Sequence, residues 1–166
     1  MRRLPFILLL LTAALTAGCG RKEIPTLQRK EAANLVSEAQ FALTLRDYAR
    51  AEPLLAKAAA LCPDTPEYWQ SLGAVRRRLN NRPGAKDAYE QMLKAARAQY
   101  KADAKKTDAL LLQVYALALL GRTDDARAAL AKALKSNPDD RTLGAFADGK
   151  QFDRILADPT FKELAL

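Results

Sequence analysis

The sequence has no histidine, two cysteines and one tryptophan in 166 residues. Without histidine, the commonest general base and metal ligand are missing. Cys19 and Cys62 do not have the spacing of a zinc site. There is no G-x-S-x-G elbow and no phosphate-binding P-loop. Carboxylates are present, but on helix surfaces and loops, with no pairing that points to acid/base work. The chain is therefore expected not to be an enzyme, and to need neither a metal nor a cofactor of the catalytic kind.

What is present is helical periodicity. Trp69, Leu72, Gly73 and Arg76 fall on one stripe at 3.6-residue spacing. A break follows at Asn80-Asn81-Arg82-Pro83-Gly84, and Ala85, Ala88, Tyr89 and Met92 begin a second stripe. Small Gly73 and Ala85 allow two antiparallel helices to approach closely, with Trp69 and Tyr89 filling the space beside them. One such hairpin cannot bury its own apolar face and needs neighbours. Ala51, Ala85 and Ala126 each open a second helix, 34 and 41 residues apart by subtraction. Leu35, Trp69 and Leu110 share one slot; Leu55, Tyr89 and Leu130 share another. Pro63 and Pro138 stand where the second helices of the first and last pairs should stop.

This pattern resembles the tetratricopeptide repeat family over roughly residues 32–140. The resemblance is strongest at Trp69, Leu72, Gly73, Ala85 and Tyr89, and in Gly121-Arg122-Thr123-Asp124-Asp125-Ala126. Departures are Glu38 and Gln113 in the slot of Leu72, Arg76 in a slot usually aromatic, and Arg97 in place of a closing proline. The resemblance implies an all-α fold: a short right-handed solenoid of three antiparallel helix pairs, over 31–64, 65–106 and 107–140. Residues 141–166, rich in closely spaced apolar side chains and carrying Asp158-Pro159 as a helix start, are expected to cap it.

Residues 1–18 have the form of a secretory signal: basic Arg2 and Arg3, a short apolar run, then small residues. The run of about 14 residues is shorter than the ~20 a spanning helix needs. Ala17-Gly18-Cys19 resembles a bacterial lipobox, which implies that Cys19 becomes the first mature residue and carries lipid. An ordinary signal peptide and a soluble periplasmic product remain the alternative. Gly20 after the cysteine implies the outer membrane, facing the periplasm, if the source is Gram-negative. Residues 19–30 then form a lipidated basic tether. Loss of Arg2 and Arg3 lowers the formal +8 to about +6. Most of that charge alternates along helix faces, so nucleic acid is not an expected partner.

Three local expectations complete the reading. Thr26 and Thr123 are expected N-caps. The second helix of the middle pair overruns, so that pair should project as a longer hairpin by ~10 Å. Cys62 is expected to be a buried apolar residue, with an intermolecular disulfide as the alternative.

The family places one face of each first helix on a concave surface. By register this face holds Gln40 and Leu43, then Glu67, Gln70, Arg77 and Arg78, then Asp108, Leu111 and Tyr115. Arg77 and Arg78 would hold a partner's carboxylate, or only complement a helix end. Two function classes follow. One is an envelope scaffold, lipid-anchored at the membrane and binding an unidentified protein or peptide, with an assembly or pilotin-like factor as a special case. The other is an envelope enzyme or glycan-processing factor using the groove as a cleft.

Overall fold

The computed structural model describes residues 23–147 and 150–166. Residues 1–22, with the leader and Cys19, lie outside the described residues. Three helix pairs follow one another: α1 (Thr26–Thr44) with α2 (Tyr48–Leu61), α3 (Pro66–Arg78) with α4 (Arg82–Ala102), and α5 (Thr107–Leu119) with α6 (Thr123–Ser136). Three short helices close the chain: α7 (Arg141–Ala147), α8 (Lys150–Ala157) and α9 (Pro159–Leu164). Each long helix packs on its neighbours in sequence, and no strand occurs among the described residues. This is an all-α, TPR-like solenoid.

Within each pair the two helices are joined by the same turn. Arg46, Asn80 and Gly121 adopt left-handed backbone, with φ of 59°, 59° and 72°. In each turn the following amide reaches back to a carbonyl five residues earlier: Asp47 to Ala42, Asn81 to Arg76, Arg122 to Leu117, at 2.8–2.9 Å. This is the Schellman closure, which satisfies carbonyls that a helix end leaves bare. The next helix starts at once. Asp47 accepts from the Arg50 amide at 3.0 Å, and Asn81 from the Gly84 amide at 2.9 Å. The caps are thus Asp47 and Asn81. Thr26 and Thr123 instead occupy the first helical positions and make no capping bond; Pro25 and Arg122 precede them, and Arg122 pairs with Asp125.

Close approach in the middle pair centres on Gly73. A β-carbon there would overlap the Tyr89 ring, which is fully buried. Ala85 and Ala88 are buried beside it. Arg76, in a slot the family gives to an aromatic, is held by Glu52 at 2.8 Å and donates to the Gly84 carbonyl at 3.1 Å. Its charge is thereby paired where an aromatic would only pack.

The overrun is a single helix, not a longer pair. Pro63 and Pro138 end up just beyond α2 and α6, while Arg97 in the same slot keeps its amide and lets α4 continue to Ala102. α5 has 13 residues, as α3 does, so no second helix lengthens with it. The extra turns pack back: Gln99 donates to the Asp64 carbonyl at 2.8 Å, and Tyr100 joins the main core. Cys62 is buried at the end of α2, without a disulfide, and burial pushes its thiol pKa up.

The tail does more than cover α6. α7 lies on α6, α8 lies on α7, and α9 crosses to α3. Asp140 fixes the first step, accepting from Thr107 Oγ1 at 2.6 Å and from the Thr142 and Leu143 amides at 2.9 and 3.1 Å. Asp158 caps α9, accepting from the Thr160 and Phe161 amides at 2.7 and 3.1 Å.

Candidate functional site

α9 lies across the face formed by the first helices. Phe161 meets the Tyr115 ring edge-on, with centroids 5.5 Å apart. The Leu164 carbonyl accepts from Tyr89 Oη at 3.0 Å and from Arg77 Nε at 3.2 Å. Arg78 pairs with Glu163 at 3.1 Å, and the Leu166 amide donates to the Leu119 carbonyl at 2.9 Å. Burial raises the pKa of Tyr89 well above an ordinary tyrosine, so its hydroxyl stays a donor to that carbonyl. Arg77 and Arg78, expected to reach a partner's carboxylate, are therefore engaged by the chain's own last turn. The reason is proximity: a covalently attached carbonyl and carboxylate reach them at no cost of association.

Two clefts between them hold seven of the nine expected residues. The larger, of ≈ 440 Å³, is lined by Glu67, Asp108, Leu111, Leu112, Val114, Tyr115, Phe146, Phe152 and Ile155. The smaller, of ≈ 370 Å³, is lined by Leu43, Tyr48, Gln70, Ser71, Ala74, Val75, Arg78 and Leu164. Four of the nine expected residues thus share the first cleft, and Leu43, Gln70 and Arg78 share the second. Gln40 is exposed on α1 and lines neither.

Periodicity along the first helices does not reveal the far wall of the larger cleft. Phe146, Phe152 and Ile155 come from α7 and α8, which carry an apolar wall around to face α5. The signal for them was the dense apolar spacing of the tail, which reads as a cap because a cap needs the same side chains. Phe152 is held from behind, with the Arg127 guanidinium over its ring at 5.3 Å.

The chemistry of the larger cleft is apolar with an acidic rim. Glu67 and Asp108 are exposed at its mouth, and no ion pair among the described residues includes either. Tyr115 is partly buried, its pKa raised by burial first and by the Asp158 carboxylate second. An apolar hollow with a few polar groups at the mouth is the usual form of a binding site. Among the described residues no three acidic or cysteine side chains gather to hold a metal ion.

Residues 107–140, the α5–α6 pair with its closing turn, match the tetratricopeptide repeat family model. The α5–α6 pair is similar to a tetratricopeptide repeat, and the described residues as a whole fold as a helical solenoid of that kind. The α1–α2 and α3–α4 pairs repeat the same left-handed turn at the equivalent positions Arg46 and Asn80. Tetratricopeptide repeats mediate protein–protein interactions, and the larger cleft is built largely on the matched pair. No curated protein matches the chain.

Proposed function

We propose that this protein is a lipid-anchored scaffold of the bacterial cell envelope that holds a segment of another protein in the α5 cleft. The observation that carries the binding half is that cleft: ≈ 440 Å³, open, walled by leucines and aromatics, with Glu67 and Asp108 at its mouth. Its volume suits one or two large apolar side chains of a partner. The two rim carboxylates favour a basic residue beside that anchor, because opposite charge steers encounter and fixes register.

The anchoring half rests on the leader. Arg2-Arg3, the short apolar run and Ala17-Gly18-Cys19 support acylation of Cys19, and Gly20 supports residence in an outer membrane facing the periplasm. Two or more acyl chains hold a protein stably at a bilayer, at ~0.8 kcal/mol for each buried methylene. No described helix is long and apolar enough to cross a membrane. An assembly or pilotin-like role is the form of scaffold that joins both halves, since such a factor carries an envelope protein while tethered.

The test is a photo-crosslinking residue placed at Leu111, against a control at Lys132 on the exposed side of α6, in cells making the full chain. A discrete adduct from Leu111 and none from Lys132 is expected. Equal adducts, or adducts from Lys132 alone, would place the partner elsewhere. Intact mass of the membrane-extracted protein should show loss of residues 1–18 and acyl mass on Cys19. A chain that keeps its leader, or carries no acyl mass, would overturn the anchor.

A further inference from the structure

The two ends of the array are finished differently. At the C-terminal end α7 covers α6. At the other end no described element covers the outer side of α1. Repeat register identifies that side. On α3, Tyr68, Leu72 and Val75 face the preceding pair: Leu72 and Val75 are buried with Ala39, Ala42, Ala51 and Leu55, and Tyr68 packs against them, while Leu79, just past the helix end, is 39% exposed. Thirty-four positions earlier by subtraction, α1 carries Asn34, Glu38, Phe41 and Leu45. All four are exposed, Phe41 at 60% and Leu45 at 63%. Phe41 therefore occupies a slot that is buried as Val75 on α3 and as Ala116 on α5.

Extended by Leu27 and Glu31, this face runs Leu27, Glu31, Asn34, Glu38, Phe41, Leu45, at alternating steps of four and three. The spacing is that of the seam between two packed helices, here with apolar residues at its ends and at Phe41. Leu27, at the far end, is 77% exposed. About the level of Val36 the outer positions, Leu27 and Leu45, are both apolar and the inner ones, Asn34 and Glu38, both polar, while Glu31 and Phe41 form the one unlike pair.

We infer that the α1 face is a self-association surface on which a second copy of this chain packs antiparallel, about a two-fold axis at the level of Val36. That register sets Leu27 against Leu45 of the second copy at both ends. It sets the Asn34 amide, a donor, against the Glu38 carboxylate, an acceptor, twice. Phe41 lies along the methylene stem of Glu31, whose carboxylate Lys57 already holds at 2.9 Å. A head-to-tail stack would instead need the surface of α6 that α7 covers. The remaining arrangement is isologous, α1 on α1, which closes after two copies. The interior polar pair fixes the register, as single polar residues do in helix seams.

The test is disulfide crosslinking of the full chain purified in detergent, read against the parent, which carries Cys19 and Cys62. In the antiparallel register, Leu27→Cys and Leu45→Cys meet across the two-fold axis. Two copies of either one alone are held ~27 Å apart, at 1.5 Å for each of the intervening residues. A chain carrying both substitutions should give a crosslinked dimer at least tenfold more than either single variant. Adding Phe41→Glu should abolish it, with circular dichroism unchanged because Phe41 is exposed. Asn34→Lys, which sets a cation against Glu38 of the second copy, should raise the yield. Equal crosslinking of Leu27→Cys alone, no crosslink from the double variant, or insensitivity to Phe41→Glu would each overturn the inference.

Discussion

Gly73→Ala is the most instructive single change. In an exposed helix interior this substitution stabilises by ~1 kcal/mol, because alanine is the better helix former. Here the sign should reverse. The new β-carbon would overlap Cε1 and Cδ1 of the Tyr89 ring. The ring is fully buried, and its hydroxyl is tied to the Leu164 carbonyl at 3.0 Å. Overpacking of this kind costs ~1–3 kcal/mol, and the tether adds a hydrogen bond worth ~1 kcal/mol if the ring must shift. Set against the propensity gain, the net should be a loss of ~1–3 kcal/mol, which lowers the melting temperature by roughly 2–4 °C for each kcal/mol. Thermal melts followed by circular dichroism measure this. Combining Gly73→Ala with Tyr89→Leu should be clearly non-additive, since the second change removes the group the first collides with. A melting temperature raised by Gly73→Ala alone would refute the close contact and with it the register of the middle pair.

Four further outcomes follow from the same contacts. Gly121→Ala places a β-carbon at φ 72° with nothing within 4 Å, so only backbone strain acts, and a loss of ~1–2 kcal/mol by thermal melt is expected. Ala85→Glu buries a charge at a fully buried helix contact and should unfold the middle pair, while Lys101→Ala on the exposed end of α4 should leave the melt unchanged. Arg77→Glu with Arg78→Glu should release α9, seen as faster limited proteolysis within residues 150–166 while helicity holds; unchanged proteolysis would mean that the arginines do not hold the tail. The pKa of Asp140 is lowered, first by the Thr107 hydroxyl and then by the Leu143 amide, so its contribution is full above the ordinary carboxylate range and disappears as pH falls through its folded value. The difference in melting temperature between the parent and Asp140→Asn should accordingly be present at pH 7 and vanish at strongly acid pH.

Much of this architecture was legible in side-chain spacing. The Gly73–Ala85–Tyr89 contact, the stop at Gly121 and the start at Asp158-Pro159 all depend on local steric and capping rules that act within one or two turns. A threonine beside a helix start can serve as cap or as first residue: before α6 the left-handed turn at Gly121 puts Arg122 at the cap position and Thr123 inside the helix, and before α1 Pro25 takes that position. Where Arg46 and Asn80 take that turn, the next residue, Asp47 or Asn81, becomes the cap. The α4 overrun was visible in the missing proline at Arg97, but its packing was not: Gln99 finds a backbone carbonyl, which has no sequence signature. The same limit applies to the site. Side chains on α3 and α5 could be assigned to one face by register, whereas the return of α9 depends on the Leu164 carbonyl and on tail helices whose angles no short-range rule sets.

The central claim is that the α5 cleft receives the partner. Its most direct test is the affinity of the purified, full-length chain for the partner identified by crosslinking, measured by calorimetry for the parent and for Leu112→Arg. Leu112 lines the cleft and is only partly buried, so a charged residue there obstructs binding without unfolding α5. An affinity weakened at least tenfold, with the melting curve unchanged, is the expected result. An unchanged affinity would contradict the claim.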